Sequence, residues 1–399
     1  MNSNFKKIAT AVSATAAAFA MSAAFSITAE ALDAPVITGQ TESSETSAQY
    51  QWNPVNGADG YLTRYSIDGV NWYNPEKSYL TYEFLYPLNA GTSYYVQVAA
   101  TTDTEQGPWS APFEVVTRPD DSNVSTNTTG AQTGATTTSA TISWGEAAGS
   151  TGYHIYTESN GLFTLIGTAN TTSFKATNLT ADTAYRFYIA PYKQSASGFV
   201  AEYNSYPPSV TATTLAKKPS VKVDYGYGIT STGFELPATN ADGYRVRFYN
   251  QKGKLITEKF NTAWSSFTSS VSPGSSVCNY GVYRKVKAAS YLTLNNKKVY
   301  SGTTTKSYIF QPKVTVKRSS GKLSLSWKKV PKATKYEVYV SYSKNDGYKK
   351  VATLSSKKTS YTVKKFKGSK ISKNKTYYVY VKPVAKGATS VCTTCWYVY

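Results

Sequence analysis

The sequence predicts an all-β protein: four β-sandwiches in tandem behind an N-terminal targeting segment. Three observations predict it. First, one motif returns four times. Trp52, Trp144, Leu236 and Trp327 each close an alternating apolar run, at separations of 92, 92 and 91 residues. A period near ninety is too long for a solenoid unit and suits a sandwich of roughly 100 residues. Second, Tyr61, Tyr153, Tyr244 and Tyr336 follow at eight or nine positions, and Leu88, Leu179, Val271 and Ile371 follow later. Third, Tyr (35), Thr, Ser and Val are abundant, as suits half-buried pleated surfaces, and no long helical apolar period follows the start of the chain.

Residues 1–31 read as a secretory signal peptide. Lys6 and Lys7 give a charged start, Ile8–Phe25 is apolar without an acid, and Ala29-Glu30-Ala31 has the form of a cleavage site. The alternative is an uncut membrane anchor, for which the apolar core is short. No other long apolar run, no hydrophobic C-terminal tail and no Leu-Pro-x-Thr-Gly-like sorting motif is present. The expectation is an exported chain, secreted or cell-wall associated, with no membrane span after cleavage.

The first module, 32–118, opens at Ala34-Pro35-Val36-Ile37. A strand over Ala48–Trp52 ends at Asn53-Pro54, and the turn Asn56–Gly60 leads into Tyr61–Ser66. Asp68-Gly69 is a hairpin signal. Trp72-Tyr73, Tyr79–Phe84, the alternating Tyr94-x-Val96-x-Val98, and a run from Ser110 to Thr117 complete seven short strands, the count of a two-sheet sandwich. The second module, 119–216, repeats this with Ile142-Ser143-Trp144, Tyr153–Tyr156 and Tyr185-x-Phe187-x-Ile189, after a lead-in at Ser122–Thr138 rich in Ser, Thr, Asn and Gly. The fourth, 312–399, gives Leu323–Trp327, Tyr336–Val340 and Tyr377-x-Val379-x-Val381. The third, 217–311, is the poorest copy. Leu236 replaces the Trp, and Val277 falls where the others place Tyr94, Tyr185 and Tyr377. Without that Tyr it is expected to lack a lock and to be the least stable unit.

These features resemble the fibronectin type III module, an immunoglobulin-like sandwich. The matches are the Trp of the second strand, the Gly-Tyr that opens the third, and Leu88-x5-Tyr94 with its counterparts Leu179-x5-Tyr185 and Ile371-x5-Tyr377. The last looks like the tyrosine corner, whose hydroxyl reaches back to the backbone. Gly107-Pro108-Trp109-Ser110-Ala111-Pro112 looks like the family's entry to its final strand. The resemblance covers 33–399 and is partial in the third module. It implies a binding or spacer role, in bacteria often beside carbohydrate-active or adhesive domains, and the Arg-Gly-Asp tripeptide of some animal members is absent.

Catalytic chemistry finds little to work with. The single His, His154, lies in a predicted strand and is expected at the solvent or a rim, so a Ser-His-Asp arrangement has one candidate base. No zinc-protease, phosphate-loop or calcium-loop motif occurs. Cys278, Cys392 and Cys395 are too few for a disulfide framework, and Cys392-Thr-Thr-Cys395 sits between strand-like flanks rather than at a helix start. No cofactor or metal is expected, and the reading is non-enzymatic.

Charge is more informative. Residues 34–118 hold three basic and nine acidic side chains, 119–215 three and six, 216–311 fourteen and four, and 312–399 twenty-one and two. The fourth module thus carries +19 of the chain's +20. Lys364, Lys365, Lys367, Lys370, Lys373 and Lys375 crowd one stretch and are the candidate polyanion-binding residues. Lys dominance points to salt-sensitive attraction between point charges. An exported chain makes nucleic acid an unfitting partner; a cell-wall or other anionic polymer fits. The rival reading is a carbohydrate-binding accessory protein, with Trp72, Tyr73 and Trp264 as candidate glycan contacts. Either reading leaves room for a protein or glycan ligand on the acidic first half.

Overall fold

A computed structural model describes residues 31–73, 75–124, 131–203, 206–225 and 228–398. The predicted signal peptide therefore lies outside the described residues, except for Ala31. Apart from one short turn of 3-10 helix, Ile229–Ser231, the regular structure is strand. The strands form four two-sheet sandwiches.

In the first, a three-stranded sheet orders Ile37–Ser43, Ala48–Trp52 and Tyr82–Leu85. It faces a sheet of Glu76–Ser78, Gly60–Ser66, Ser93–Thr101 and a final strand split into Gln106–Trp109 and Phe113–Val116. The same order recurs in the other three, except that one strand of the fourth joins the larger sheet of the third. Alternation sets the faces: in Ala48–Trp52 the first, third and fifth residues are buried, and Gln49 and Gln51 turn outward.

The recurring Trp and Tyr form the centre of each core. Trp52, Trp144 and Trp327 are 3%, 5% and 7% exposed. Each meets its downstream Tyr edge to face, with ring centroids 5.4 Å (Trp52–Tyr61), 5.2 Å (Trp144–Tyr153) and 5.5 Å (Trp327–Tyr336) apart. The Tyr hydroxyl then accepts a backbone N–H six residues upstream: Val55 at 3.0 Å, Ala147 at 3.0 Å and Val330 at 2.7 Å. This gives an apolar ring a satisfied polar end. In the third sandwich the polarity inverts, and the Tyr244 hydroxyl donates to Pro237 O at 2.6 Å. Burial first, and then the Asp182 carboxylate, raise that hydroxyl above the usual tyrosine range, so it stays a donor.

The tyrosine corners form where the spacing placed them. Tyr94, Tyr185 and Tyr377 accept from the N–H groups of Asn89, Thr180 and Ser372 at 2.8, 2.8 and 2.9 Å. The third sandwich does lack the Tyr, but it has a different lock. The nearly buried guanidinium of Arg284 donates to Val277 O at 2.7 Å, Tyr283 O at 3.1 Å and Ser276 O at 3.4 Å. Arg284→Met is expected to lower the stability of this sandwich by about 2–3 kcal/mol, because buried carbonyls lose a charged donor. An unchanged denaturation midpoint for the third sandwich would show that the cap is dispensable.

The joints between sandwiches share one geometry. The corner loop of each sandwich meets the loop after the Trp strand of the next. At the first joint Gly91 and Gly149, both at positive φ, approach so closely that a Cβ on either would strike the other loop's backbone oxygen. At the second, Asp182 Oδ1 accepts from Thr239 Oγ1 at 2.6 Å and Asn240 N at 2.8 Å, above an apolar cluster of Leu215, Ala241, Leu292 and Leu294. At the third, Gly281 lies against Val330.

The third joint goes further. Ala388–Val391, near the C-terminus, leaves its own sandwich and pairs in parallel with Thr304–Phe310 of the third. Val391 is fully buried in the third core beside Phe234, Phe248 and Cys278. Gln311 N donates to Val391 O at 3.0 Å, and Gln311 Nε2 to Thr394 O at 2.6 Å. The chain then returns to supply Trp396–Val398 to the fourth sandwich. The last two sandwiches are thus one welded unit.

Candidate polyanion-binding surface

The six candidate lysines converge on one end of the fourth sandwich. Lys365–Phe366 and Ser369–Lys370 form a short hairpin, with Lys365 opposite Lys370 and Phe366 opposite Ser369. Lys367 and Gly368 at its tip both have positive φ, the backbone of a tight two-residue turn. Phe366 is buried and packs on Tyr342 and Tyr377, with ring centroids 4.9 and 6.5 Å away, so one apolar side chain roots the cationic hairpin in the core. The corner loop beside it carries Lys373 and Lys375. It is held by Tyr377 through Ser372 N and by Arg318, whose Nη1 donates to Ser372 O at 3.1 Å and Lys375 O at 3.0 Å.

All six lysines are exposed. Lys367 and Lys375 both place Nζ over the Tyr342 ring, at 5.5 and 5.1 Å. Among the described residues none of the six is in an ion pair; the acid of this sandwich that is paired, Glu337, is shared by Lys335 at 3.4 Å and Lys350 at 3.6 Å. Partial burial works to raise the Glu337 carboxyl, but the Tyr339 hydroxyl and the two ammonium groups outweigh it and hold it below the usual range. Like charges face each other across the hairpin at a cost to the isolated fold. The arrangement can offer a dense, mobile, solvated positive field to an anion.

The candidate glycan contacts fall on two sandwiches. Trp72 is half-buried. Arg64 lies between its ring and that of Trp109, at 4.7 and 4.1 Å, with Nε and Nη2 bonded to Gln97 Oε1 at 3.0 and 2.7 Å. Tyr73 stacks on Tyr65 at 4.5 Å. Trp264 stands on the third sandwich, 59% exposed. A row of rings that sequence reasoning did not single out, Tyr79, Tyr82, Phe84 and Tyr86, is exposed along the edge of the first sandwich. The Tyr82 and Phe84 rings meet at 88°, which does not make the flat platform a sugar face needs.

His154 is half-buried and engaged. Its Nδ1 lies 2.5 Å from Glu202 Oε2, and its ring stacks on Tyr192 at 4.2 Å. All three cysteines are thiols. Burial pushes Cys278 and Cys392 up to about 12, which removes the nucleophilic thiolate from both at neutral pH. Among the described residues no helix is long and apolar enough to cross a membrane.

The chain is thus a row of small β-sandwiches with one end dense in exposed lysines. The sandwiches are fibronectin type III-like in sheet order and in the corner tyrosines. Similar solved structures belong to that family. They include the FN1–FN3 domains of chicken CNTN1 (12% identity, 70% of this chain and 99% of that one, TM-score 0.26) and a two-domain segment of chicken tenascin (21%, 46% and 100%, 0.26). The FN5 domain of Drosophila Lar is a third (24%, 22% and 99%, 0.19). No protein-family model and no curated protein matches the sequence.

Proposed function

We propose that this chain is a non-enzymatic exported protein whose basic C-terminal half holds it on an anionic polymer, such as that of a cell wall, while the acidic first two sandwiches reach outward to a partner. One observation carries the reading. Six exposed lysines stand together on a rooted hairpin and a pinned loop, with no acid among the described residues to neutralise them. A solvated face needs no such concentration of one sign.

Attraction of this kind weakens as the Debye length falls from about 10 Å at 0.1 M salt to about 3 Å at 1 M. The full chain is expected to bind an immobilised anionic polymer and to elute as salt rises. Replacing Lys364, Lys365, Lys367, Lys370, Lys373 and Lys375 by Gln should move elution to markedly lower salt while leaving the melting profile intact. Retention indifferent to both salt and these changes would defeat the proposal.

A further inference from the structure

The outer face of the three-stranded sheet in the fourth sandwich combines hydroxyls with lysines at both of its ends; the paired register of the second sandwich also sets hydroxyls on this face, Thr141 beside Lys175 and Ser143 beside Ser173, but with one lysine. Val314–Ser319, Lys322–Trp327 and Ser360–Val363 pair in a register that sets two rungs across it: Thr315, Ser326 and Ser360 in one, and Lys317, Ser324 and Thr362 in the next. Every member but Ser324 is exposed, and Ser324 is half-buried. The inward positions Leu323, Leu325, Trp327 and Val363 are buried, so alternation assigns the hydroxyls to solvent. The equivalent face of the third sandwich mixes signs, with Asp224 and Glu235 beside Lys222. That of the first carries Gln49 and Gln51 opposite Phe84 and Tyr82.

Lysines close both ends of this hydroxyl face. At one end Lys322 and Lys364 lead on to the Lys365–Lys370 hairpin. At the other, Thr315 and Ser326 run into a cleft of about 620 Å³ at the third joint, where Lys313, Lys328 and Lys329 stand. The result is a track: cationic cleft, two hydroxyl rungs, cationic hairpin.

We propose that this track seats a linear polyol phosphodiester. The inference rests on the polyanion reading above and specifies the polymer. Ser and Thr hydroxyls both donate and accept, so they can exchange hydrogen bonds with the free hydroxyls of a polyol. Lysines supply point charges, which hold the single charge of each phosphodiester without demanding a fixed bidentate geometry. Same-face residues along a strand recur at about 7 Å, close to the repeat of a three-carbon polyol joined through phosphates.

The test uses the full chain and two probes matched in total charge, poly(glycerol phosphate) and inorganic polyphosphate, which has no hydroxyls. The polyol polymer is expected to bind roughly tenfold more tightly. The triple variant S324A/S326A/T362V should lose about that factor for poly(glycerol phosphate) and nothing for polyphosphate, with an unchanged melting midpoint. Polyphosphate binding as tightly as the polyol polymer, or a triple variant that weakens both alike or neither, would overturn the track. Failure of both probes to bind the unmodified chain would instead overturn the polyanion reading beneath it.

Discussion

Val391→Asp is expected to open the third sandwich, although the residue belongs by sequence to the fourth. Val391 is fully buried among Phe234, Phe248 and Cys278. A carboxylate there has no partner and costs about 3–5 kcal/mol, a large share of a small domain's stability. Cys278 provides the readout. Its thiol is buried, lies 3.5 Å from Thr232 O and is held protonated, so a thiol reagent should reach it only when this core opens. In a background with Cys392→Ser and Cys395→Ser, Val391→Asp should speed labelling of Cys278 by about a hundredfold or more under native conditions. Labelling at the parent rate would mean that the crossing strand contributes nothing to the third core.

Trp52→Ala, Trp144→Ala and Trp327→Ala should each cost about 3–5 kcal/mol, the range for removing a large buried ring. The loss has two parts here. The cavity takes away packing, and the Tyr that leaned on the Trp loses the ring that orients its hydroxyl toward Val55, Ala147 or Val330. Tyr→Phe at 61, 153 or 336 isolates the second part and should cost about 1 kcal/mol. Denaturant unfolding of the full chain, followed by limited proteolysis to locate the lost sandwich, checks both. A Trp→Ala change costing under about 1 kcal/mol would remove that residue from the core.

The parts of this fold that could be read from sequence were those written locally and repeatedly. A Trp closing an alternating run, a Tyr nine residues on and a Tyr after a Leu-x5 gap each report contacts made within one sandwich, and recurrence at one register turned weak signals into a firm one. Lysine exposure was equally legible, because twenty-one basic side chains beside two acids cannot be neutralised from within. Arg284 was not legible as a lock. An Arg in an alternating strand normally reads as a surface charge, and only the three carbonyls around it reveal its role. Thr389-Ser390-Val391 read as strand, but nothing in those three residues names a partner in another sandwich. The joints were silent because each is made by two loops whose residues, such as Asp182 and Asn240, are ordinary turn formers. The hydroxyl rungs depend on register, which composition does not carry.

The strand that crosses between the last two sandwiches also sets an order of events in the life of the chain. The first two sandwiches have all their strands in hand as soon as they are made, and domains of that kind fold in sequence from the N-terminus. The third cannot complete its core until residues 388–391 arrive, because Val391 is one of its buried members. The latter half must therefore fold as a single late block, through contacts of long sequence separation, which form slowly.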